Sequence, residues 1–192
     1  LKGGQYPGMG VNITGISNIT VEDSAIPKHW LHCYAMDVGW NRTAAIWAAT
    51  DPTTKITYLY SEYYQGNAEP IIHAEGIKSR GAWIPGVIDH AAHGRSQVDG
   101  QNLFDIYYNL GLDISNANKA VEAGIYTVWQ LLSTNKLKVF RSLGCWFTEF
   151  RQYCRDADGK IMKKNDHLMD CTRYLIMSGL DRAISRPYWE FE

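Results

Sequence analysis

The chain has 192 residues, of which 45% are hydrophobic and 20% are charged. This balance excludes an intrinsically disordered chain, and no apolar run reaches the roughly 18 residues that a membrane span needs. The formal net charge is −1, but residues 1–135 carry 8 Lys/Arg against 12 Asp/Glu, whereas residues 136–186 carry 11 against 6. A basic segment beside an acidic half is consistent with a protein that binds a polyanion on one face and a metal on another. The same charges could also simply form a solvated surface.

The ends of the chain differ in composition from its middle. Residues 1–28 are rich in Gly, Asn and Thr and contain "GGQYPGMG" near their start, which predicts a linker or irregular extension. We therefore expect three regions, an extension over 1–28, one domain over 29–186 and a tail over 187–192. Leu1 in place of Met predicts a piece cut from a longer protein, although processing could also remove an initiator Met. The chain contains no GxxxxGK[ST] pattern.

Three strands and a crossover are predicted in the first half of the domain. "WLHCYAMDVG", "TAAIWAAT" and "KITYLYSEYY" read as strands joined by short turns, which favours an antiparallel meander. "AEPIIHAEGIKSRG" has helical spacing, and "AWIPGVID" is a short apolar strand after it. A strand, helix, strand order indicates a right-handed crossover, so this fourth strand is expected to lie parallel to another strand of the sheet.

The second half of the domain is predicted to be mainly helical. "NLFDIYYNLG" and "KAVEAGIYTVWQLLSTN" are two helices, and "KLKVF" is a short strand. "WFTEFRQYCRD" is a further helix, and "HLMDCTRYLIMSGLDRAI" is a long amphipathic one. The pattern as a whole predicts an α/β fold, with helices packed against a mixed sheet.

Carboxylates stand at positions where these elements end. Asp37 ends the first strand and Asp89 ends the fourth, while Asp166 and Asp170 share one face of the last helix. Converging carboxylates repel one another unless cations join them, and hard oxygen ligands suit Mg²⁺ or Mn²⁺. A pair of such ions can act on a phosphodiester. Each aspartate could instead be a turn, loop or helix-capping residue.

Three segments together resemble the C-terminal nuclease domain of large terminase subunits from tailed bacteriophages. They are "IDHAAHGRSQVDGQNLFDIYYNLGL", "AVEAGIYTVWQLL" and "EFRQYCRDADGKIMKKNDHLMDCTRYLI". The resemblance covers roughly residues 30–185, and its most specific part is the last segment together with the early Asp-x-Gly of Asp37. It implies an RNase H-like mixed sheet of five strands in the order 3-2-1-4-5, flanked by helices. It also implies an ATPase half N-terminal to this domain.

The same resemblance assigns the site residues. It implies that Asp37, Asp89, Asp170 and Asp166 hold Mg²⁺ or Mn²⁺, as two ions, with Asp170 favoured over Asp166. His167 is expected to donate a hydrogen bond or to assist proton transfer, or else to be an ordinary residue of the helix surface. The chain departs from the common Asp-Ala-x-Arg-Tyr at Cys171, where a small packed residue is expected.

Other residues near these motifs receive separate interpretations. His90 and His93 are expected to be loop residues near the site at most. Glu149 is expected to support its helix, although it could approach the metal edge. Five basic side chains are candidates for phosphate contacts: Arg95, Lys160, Lys163, Lys164 and Arg173.

The function predicted is a metal-dependent endonuclease that cuts concatemeric viral double-stranded DNA with little sequence preference. Two alternatives stay open, another RNase H-like polynucleotidyl transferase such as a junction resolvase or transposase core, and a non-catalytic DNA-gripping module. Expected partners are double-stranded DNA, the ATPase half, the small terminase subunit and the portal protein, with no membrane. The expected location is the host cell cytoplasm.

Overall fold

A mixed sheet crosses the molecule, and helices cover it. The structure is a computed structural model that describes residues 16–89, 92 and 102–186. The strands are β1 (Thr20–Val21), β2 (Leu31–Asp37), β3 (Thr43–Thr50), β4 (Thr57–Gln65), β5 (Gly86–Ile88), β6 (Ile114–Asn116) and β7 (Leu137–Phe140). The helices are α1 (Ile16–Ile19), α2 (Pro70–Lys78), α3 (Leu103–Asn109), α4 (Val121–Ser133), α5 (Gly144–Gln152) and α6 (His167–Tyr174).

The predicted meander forms the centre of the sheet. β2 pairs antiparallel with β3, and β3 pairs antiparallel with β4. Every residue of β3 from Thr43 to Ala49 is buried, and its side chains alternate between two apolar clusters. Ala44, Ile46 and Ala48 belong to the cluster that also contains residues of α6. The side chains of Ala44 and Ala48 are small, so α6 can pack close to the sheet at β3.

The crossover after the meander is also as predicted. α2 follows β4, and β5 then pairs parallel with β2 in the register Met36 with Ile88. β2 and β5 therefore run in the same direction, and their carboxyl ends lie at one edge of the sheet. The predicted site lies at this edge, which is called the catalytic edge below after that prediction, and the amino ends of β2 and β5 mark the opposite edge.

The prediction of a five-stranded sheet is wrong in the number of strands, and the strand order also differs in detail. The sheet has seven strands in the order β1-β7-β4-β3-β2-β5-β6. The short segment β6, not the predicted strand β7, lies beside β5, and β7 pairs with β4 on the other side of the meander. Strands as short as β1 and β6 have too few residues to show an alternating pattern, so the sheet pairing alone defines them.

The predicted last helix is divided into three consecutive helical segments. α6 continues into a π-helical turn at Leu175–Gly179 and then a 3₁₀ turn at Leu180–Arg182. α6 packs across β2 and β3, which places its first turns over the carboxyl end of β2. Among the helices of the described ranges, none is long and apolar enough to cross a membrane.

Candidate active site at the carboxyl ends of β2 and β5

Two of the predicted carboxylates follow neighbouring parallel strands. Asp37 is the last residue of β2, and Asp89 comes directly after β5. The backbone N–H of Asp89 donates to the carbonyl oxygen of Met36 at 3.1 Å. Since paired strands lie about 4.8 Å apart, Asp37 and Asp89 are neighbours at the catalytic edge, in the crevice where α/β sheets commonly bind ligands.

A third carboxylate reaches the same edge from α6. Asp170 is 8% exposed, and its two oxygens have different partners. Arg173 Nη2 donates to Asp170 Oδ1 at 2.9 Å, and Lys163 Nζ donates to Asp170 Oδ2 at 3.1 Å. Both basic side chains therefore hold Asp170 in place and offset its charge.

His167 connects α6 directly to β2. Its Nδ1 lies 2.8 Å from Asp37 Oδ2, where the Nδ1–H donates and the carboxylate accepts. The hydrogen bond to Asp37 raises the pKa of His167 above its ordinary value, although partial burial works in the opposite direction. With Nδ1 so engaged, Nε2 is the ring nitrogen left to handle a proton.

The three carboxylates act on one another electrostatically. Burial raises the pKa of Asp37, the hydrogen bond from His167 lowers it, and the charges of Asp170 and Asp89 raise it further. Burial also raises the pKa of the Tyr174 hydroxyl, and the charges of Asp170, Asp89 and Asp37 all add to that effect. The charges of all three carboxylates therefore act on the hydroxyl group of Tyr174.

Lys163 occupies a position between two aspartates. Its Nζ lies 3.1 Å from Asp170 Oδ2 and 3.2 Å from Asp166 Oδ2. The contact with Asp166 is an ion pair at close range rather than a directed hydrogen bond, since Asp166 Oδ2 is buried and accepts none from the described residues. Partial burial lowers the pKa of Lys163, but the two carboxylates outweigh it and the net shift is upward.

The donor set fits a hard divalent cation in its chemistry. All the acidic groups at the catalytic edge offer carboxylate oxygens, which Mg²⁺ and Mn²⁺ prefer, and an ammonium group already stands between two of them. Within the part of the chain that the structure describes, no three His, Cys, Asp or Glu side chains are close enough together to hold a metal ion. Binding of a cation would thus require these side chains to turn toward a common point.

The carboxylate of Glu149 contacts the first turn of α6. It lies on α5 and is 2% exposed, and its Oε2 accepts from the backbone N–H groups of Leu168 at 2.6 Å and Met169 at 3.4 Å. Tyr64 on β4 donates its hydroxyl to Glu149 Oε1 at 2.7 Å. Glu149 thus caps the first turn of α6 from another helix, a role that Asp166 at the N-cap position does not fill with its own side chain.

The predicted phosphate-binding residues have different environments. Lys160 and Lys164 are exposed, and the Lys163 side chain is 62% exposed. Arg173 is 2% exposed, because its side chain lies under α4 against Gly124 and reaches Asp170. Arg95, His90 and His93 lie outside the described residues. Cys171 is fully buried, with its Sγ 3.4 Å from the carbonyl oxygen of Ala44 on β3.

Solved structures share this architecture. The nuclease domain of the P22 large terminase superposes with a TM-score of 0.80 at 28% identity, covering 89% of this chain and 92% of that one. The nuclease domain of the large terminase g2p from bacteriophage SPP1, with bound Mn, gives 0.56 at 16% identity over 81% and 94% of the two chains. The large terminase nuclease of thermophilic phage G20c, with bound cobalt, gives 0.61 at 13% identity over 90% and 98%. The last two likenesses concern the fold alone.

Sequence comparison gives the family. The large terminase subunit of Enterobacteria phage LP7 is 31% identical over 171 residues, which are 83% of this chain and 35% of that protein. The large terminase subunit of Salmonella phage P22 is 31% identical over 159 residues, 77% of this chain and 31% of that protein. The chain thus spans about a third of the length of these relatives. The family described as "Terminase RNaseH-like domain" matches residues 34–178, from β2 to the end of the α6 region, and the chain belongs to that family.

Proposed function

We propose that this domain is a divalent-metal-dependent endonuclease that cuts concatemeric viral double-stranded DNA during genome packaging. The observation that carries the proposal is the placement of Asp37 and Asp89 after two neighbouring parallel strands, with Asp170 on α6, the helix that packs across β2. The P22 relative is named a nuclease domain, and the SPP1 and G20c nucleases were crystallised with Mn and cobalt, which supports the same chemistry here.

The residues at the catalytic edge divide the work of such a reaction. Asp37, Asp89 and Asp170 would hold Mg²⁺ or Mn²⁺, two ions in our proposal, with Asp166 as a further oxygen ligand. The bound ions would supply activation of water and stabilisation of the leaving oxygen of the phosphodiester. His167 orients Asp37 through its Nδ1, and its Nε2 can accept or return a proton in the reaction.

The basic side chains serve two purposes in this proposal. Lys160, Lys164 and Arg95 contact DNA phosphates, whereas the buried Arg173 holds Asp170 rather than DNA. Lys163 neutralises Asp166 and Asp170 until a metal ion binds, and its exposed position then lets it turn toward a phosphate.

The place of the domain in a larger machine is part of the proposal. We propose an ATPase region N-terminal to residues 29–186 in the full-length protein. The relatives that the chain matches are about three times as long, which leaves room for such a region. We propose the small terminase subunit and the portal protein as further partners, and the host cell cytoplasm as the location.

The test is digestion of supercoiled plasmid by the 192-residue chain with Mn²⁺, Mg²⁺ or EDTA. We expect cleavage with either ion and none with EDTA. Asp37→Asn should abolish cleavage and leave the melting temperature within a few degrees of wild type. Asp170→Asn should also abolish cleavage but should lower the melting temperature, because it leaves the buried Arg173 guanidinium without its carboxylate. Full activity in folded Asp37→Asn protein would contradict the site. A panel of linear, supercoiled and four-way-junction DNA separates this function from a junction resolvase, which would prefer the junction.

A further inference from the structure

The turn between β2 and β3 projects a large aromatic side chain at the catalytic edge. Residues 38–42 connect Asp37 to Thr43, so the turn begins one residue after a proposed metal ligand. Trp40 at its tip is 63% exposed, the most exposed large apolar side chain among the described residues. Burial of an indole of this size would stabilise the fold, so its exposure is not explained by folding.

The backbone of this turn is held by its neighbours. The N–H of Asn67 donates to the carbonyl oxygen of Trp40 at 2.9 Å, and Thr43 Oγ1 donates to the carbonyl oxygen of Gly39 at 3.2 Å. Gly66 approaches so closely that a Cβ there would lie 2.0 Å from the carbonyl oxygen of Asn41. The connection from β4 to α2 therefore holds the backbone of the turn that carries the exposed indole.

The same turn carries a positive charge two residues after Trp40. The Arg42 guanidinium is 4.4 Å from the centre of the Tyr64 ring, and no carboxylate of the described residues lies within ion-pairing distance of it. The Tyr64 ring is in turn 6.4 Å from the His167 ring. Arg42 and His167 therefore both lie beside Tyr64, and the turn that carries Trp40 and Arg42 begins directly after Asp37.

We propose that Trp40 and Arg42 form a contact for duplex DNA next to the scissile phosphate. Arg42 binds a backbone phosphate, and the Trp40 indole packs against the deoxyribose and base edges beside it. Duplex DNA is the partner that suits this pair, because a guanidinium recognises phosphate and an exposed aromatic ring provides apolar contact with nucleotides without reading their sequence. The inference rests on the proposed function, whose site it extends.

The experiment separates the ionic part of this contact from the apolar part. The probe is a fluorescent duplex of about 30 base pairs, which is roughly three helical turns. Its binding is measured in EDTA over a series of salt concentrations from about 50 mM upward. Trp40→Ala should weaken binding roughly tenfold and leave the salt slope unchanged, because indole carries no charge. Arg42→Gln should flatten the slope of log affinity against log salt by about 0.9, the contribution of one phosphate contact.

Two variants away from the catalytic edge serve as controls. Tyr108→Ala removes an aromatic ring that is 60% exposed near the end of α3, and Lys136→Gln removes a charge beside the turn that follows β3, at the opposite edge. Both should bind duplex as wild type does. If Trp40→Ala lowers the melting temperature, Trp40→Gln repeats the test with a side chain that keeps more of the original length.

The outcomes distinguish this inference from the proposed function. Cleavage by wild type with Mn²⁺, combined with duplex affinities of Trp40→Ala and Arg42→Gln that match those of the controls, would overturn the contact and leave the nuclease standing. Wild-type protein that binds no duplex at about 50 mM salt would also overturn it. Selective loss of binding in these two variants would support the contact even if wild type failed to cleave.

Discussion

His167 on α6 and Asp37 on β2 are 130 residues apart in the chain and joined by a 2.8 Å hydrogen bond between Nδ1 and Oδ2. This contact fixes the position of α6 relative to the end of the central strand. It also gives both residues one shared electrostatic environment, which an NMR titration can measure.

The pKa of His167 should lie above the ordinary value of about 6.5, because the hydrogen bond to Asp37 favours the charged ring. While Asp37 stays ionised, the charged form of His167 therefore contributes stability that is fully present below about pH 6.5 and is lost as the pH rises through the folded-state pKa of His167; at acidic pH the contribution ends where Asp37, whose own pKa is raised, becomes protonated. In Asp37→Asn the His167 pKa should fall. His32 and His73 are internal references in the same spectra, since burial lowers the pKa of both. A His167 pKa unchanged by Asp37→Asn would contradict the bond.

Glu149 should be required for the position of α6. Glu149→Ala removes the acceptor for two N–H groups of the first turn and should cost about 1–3 kcal/mol in the free energy of unfolding. Tyr64→Phe removes only the hydroxyl that donates to the other oxygen of Glu149, so its cost should be closer to 1 kcal/mol. Urea denaturation of both variants gives the comparison. Equal stability of Glu149→Ala and wild type would show that the cap is dispensable.

Gly124 on α4 should not tolerate a methyl group. A Cβ there would lie 2.4 Å from Cγ of Arg173, the residue that holds Asp170. Helix propensity alone would make Gly124→Ala more stable by about 0.5–1 kcal/mol. We expect the opposite, a loss of about 1–3 kcal/mol in the free energy of unfolding, because the added methyl group would overpack the space that Arg173 fills.

Gly144 provides the matched control for this substitution. It is also in a helix, and a Cβ there would meet no atom within 4 Å. Gly144→Ala should therefore be neutral or stabilising in the same thermal melts. A Gly124→Ala protein that is at least as stable as Gly144→Ala would contradict the packing of Arg173 against α4.

Several features of the site could be predicted from the sequence, and others could not. The strand-ending positions of Asp37 and Asp89 and the parallel crossover between their strands follow from local apolar patterns, which the structure confirms. The burial of Arg173 is invisible in a helical pattern, because the space it occupies is created by Gly124 on another helix. The contact of Glu149 with α6 could not be predicted either, because it joins two segments whose relative position is defined only in the packed fold.

Lys163 should compete with a metal ion for Asp170. Lys163→Met removes the ammonium that ion-pairs with Asp166 and Asp170, so Mn²⁺ affinity should rise by roughly two- to fivefold, the scale of an exposed ion pair. Lys164→Met is the control, because it removes the neighbouring exposed charge without either ion pair. Isothermal titration calorimetry gives both affinities. Weaker Mn²⁺ binding by Lys163→Met than by Lys164→Met would show that the ammonium assists the ion instead.

Anomalous diffraction from crystals soaked in Mn²⁺ tests the central claim most directly. We expect an anomalous peak at the catalytic edge within coordination distance, about 2.0–2.4 Å, of carboxylate oxygens from Asp37, Asp89 and Asp170. The same peak should be lost in Asp37→Asn crystals soaked in the same way. A wild-type crystal with Mn²⁺ bound elsewhere on the molecule and none among these three carboxylates would contradict the proposed metal site.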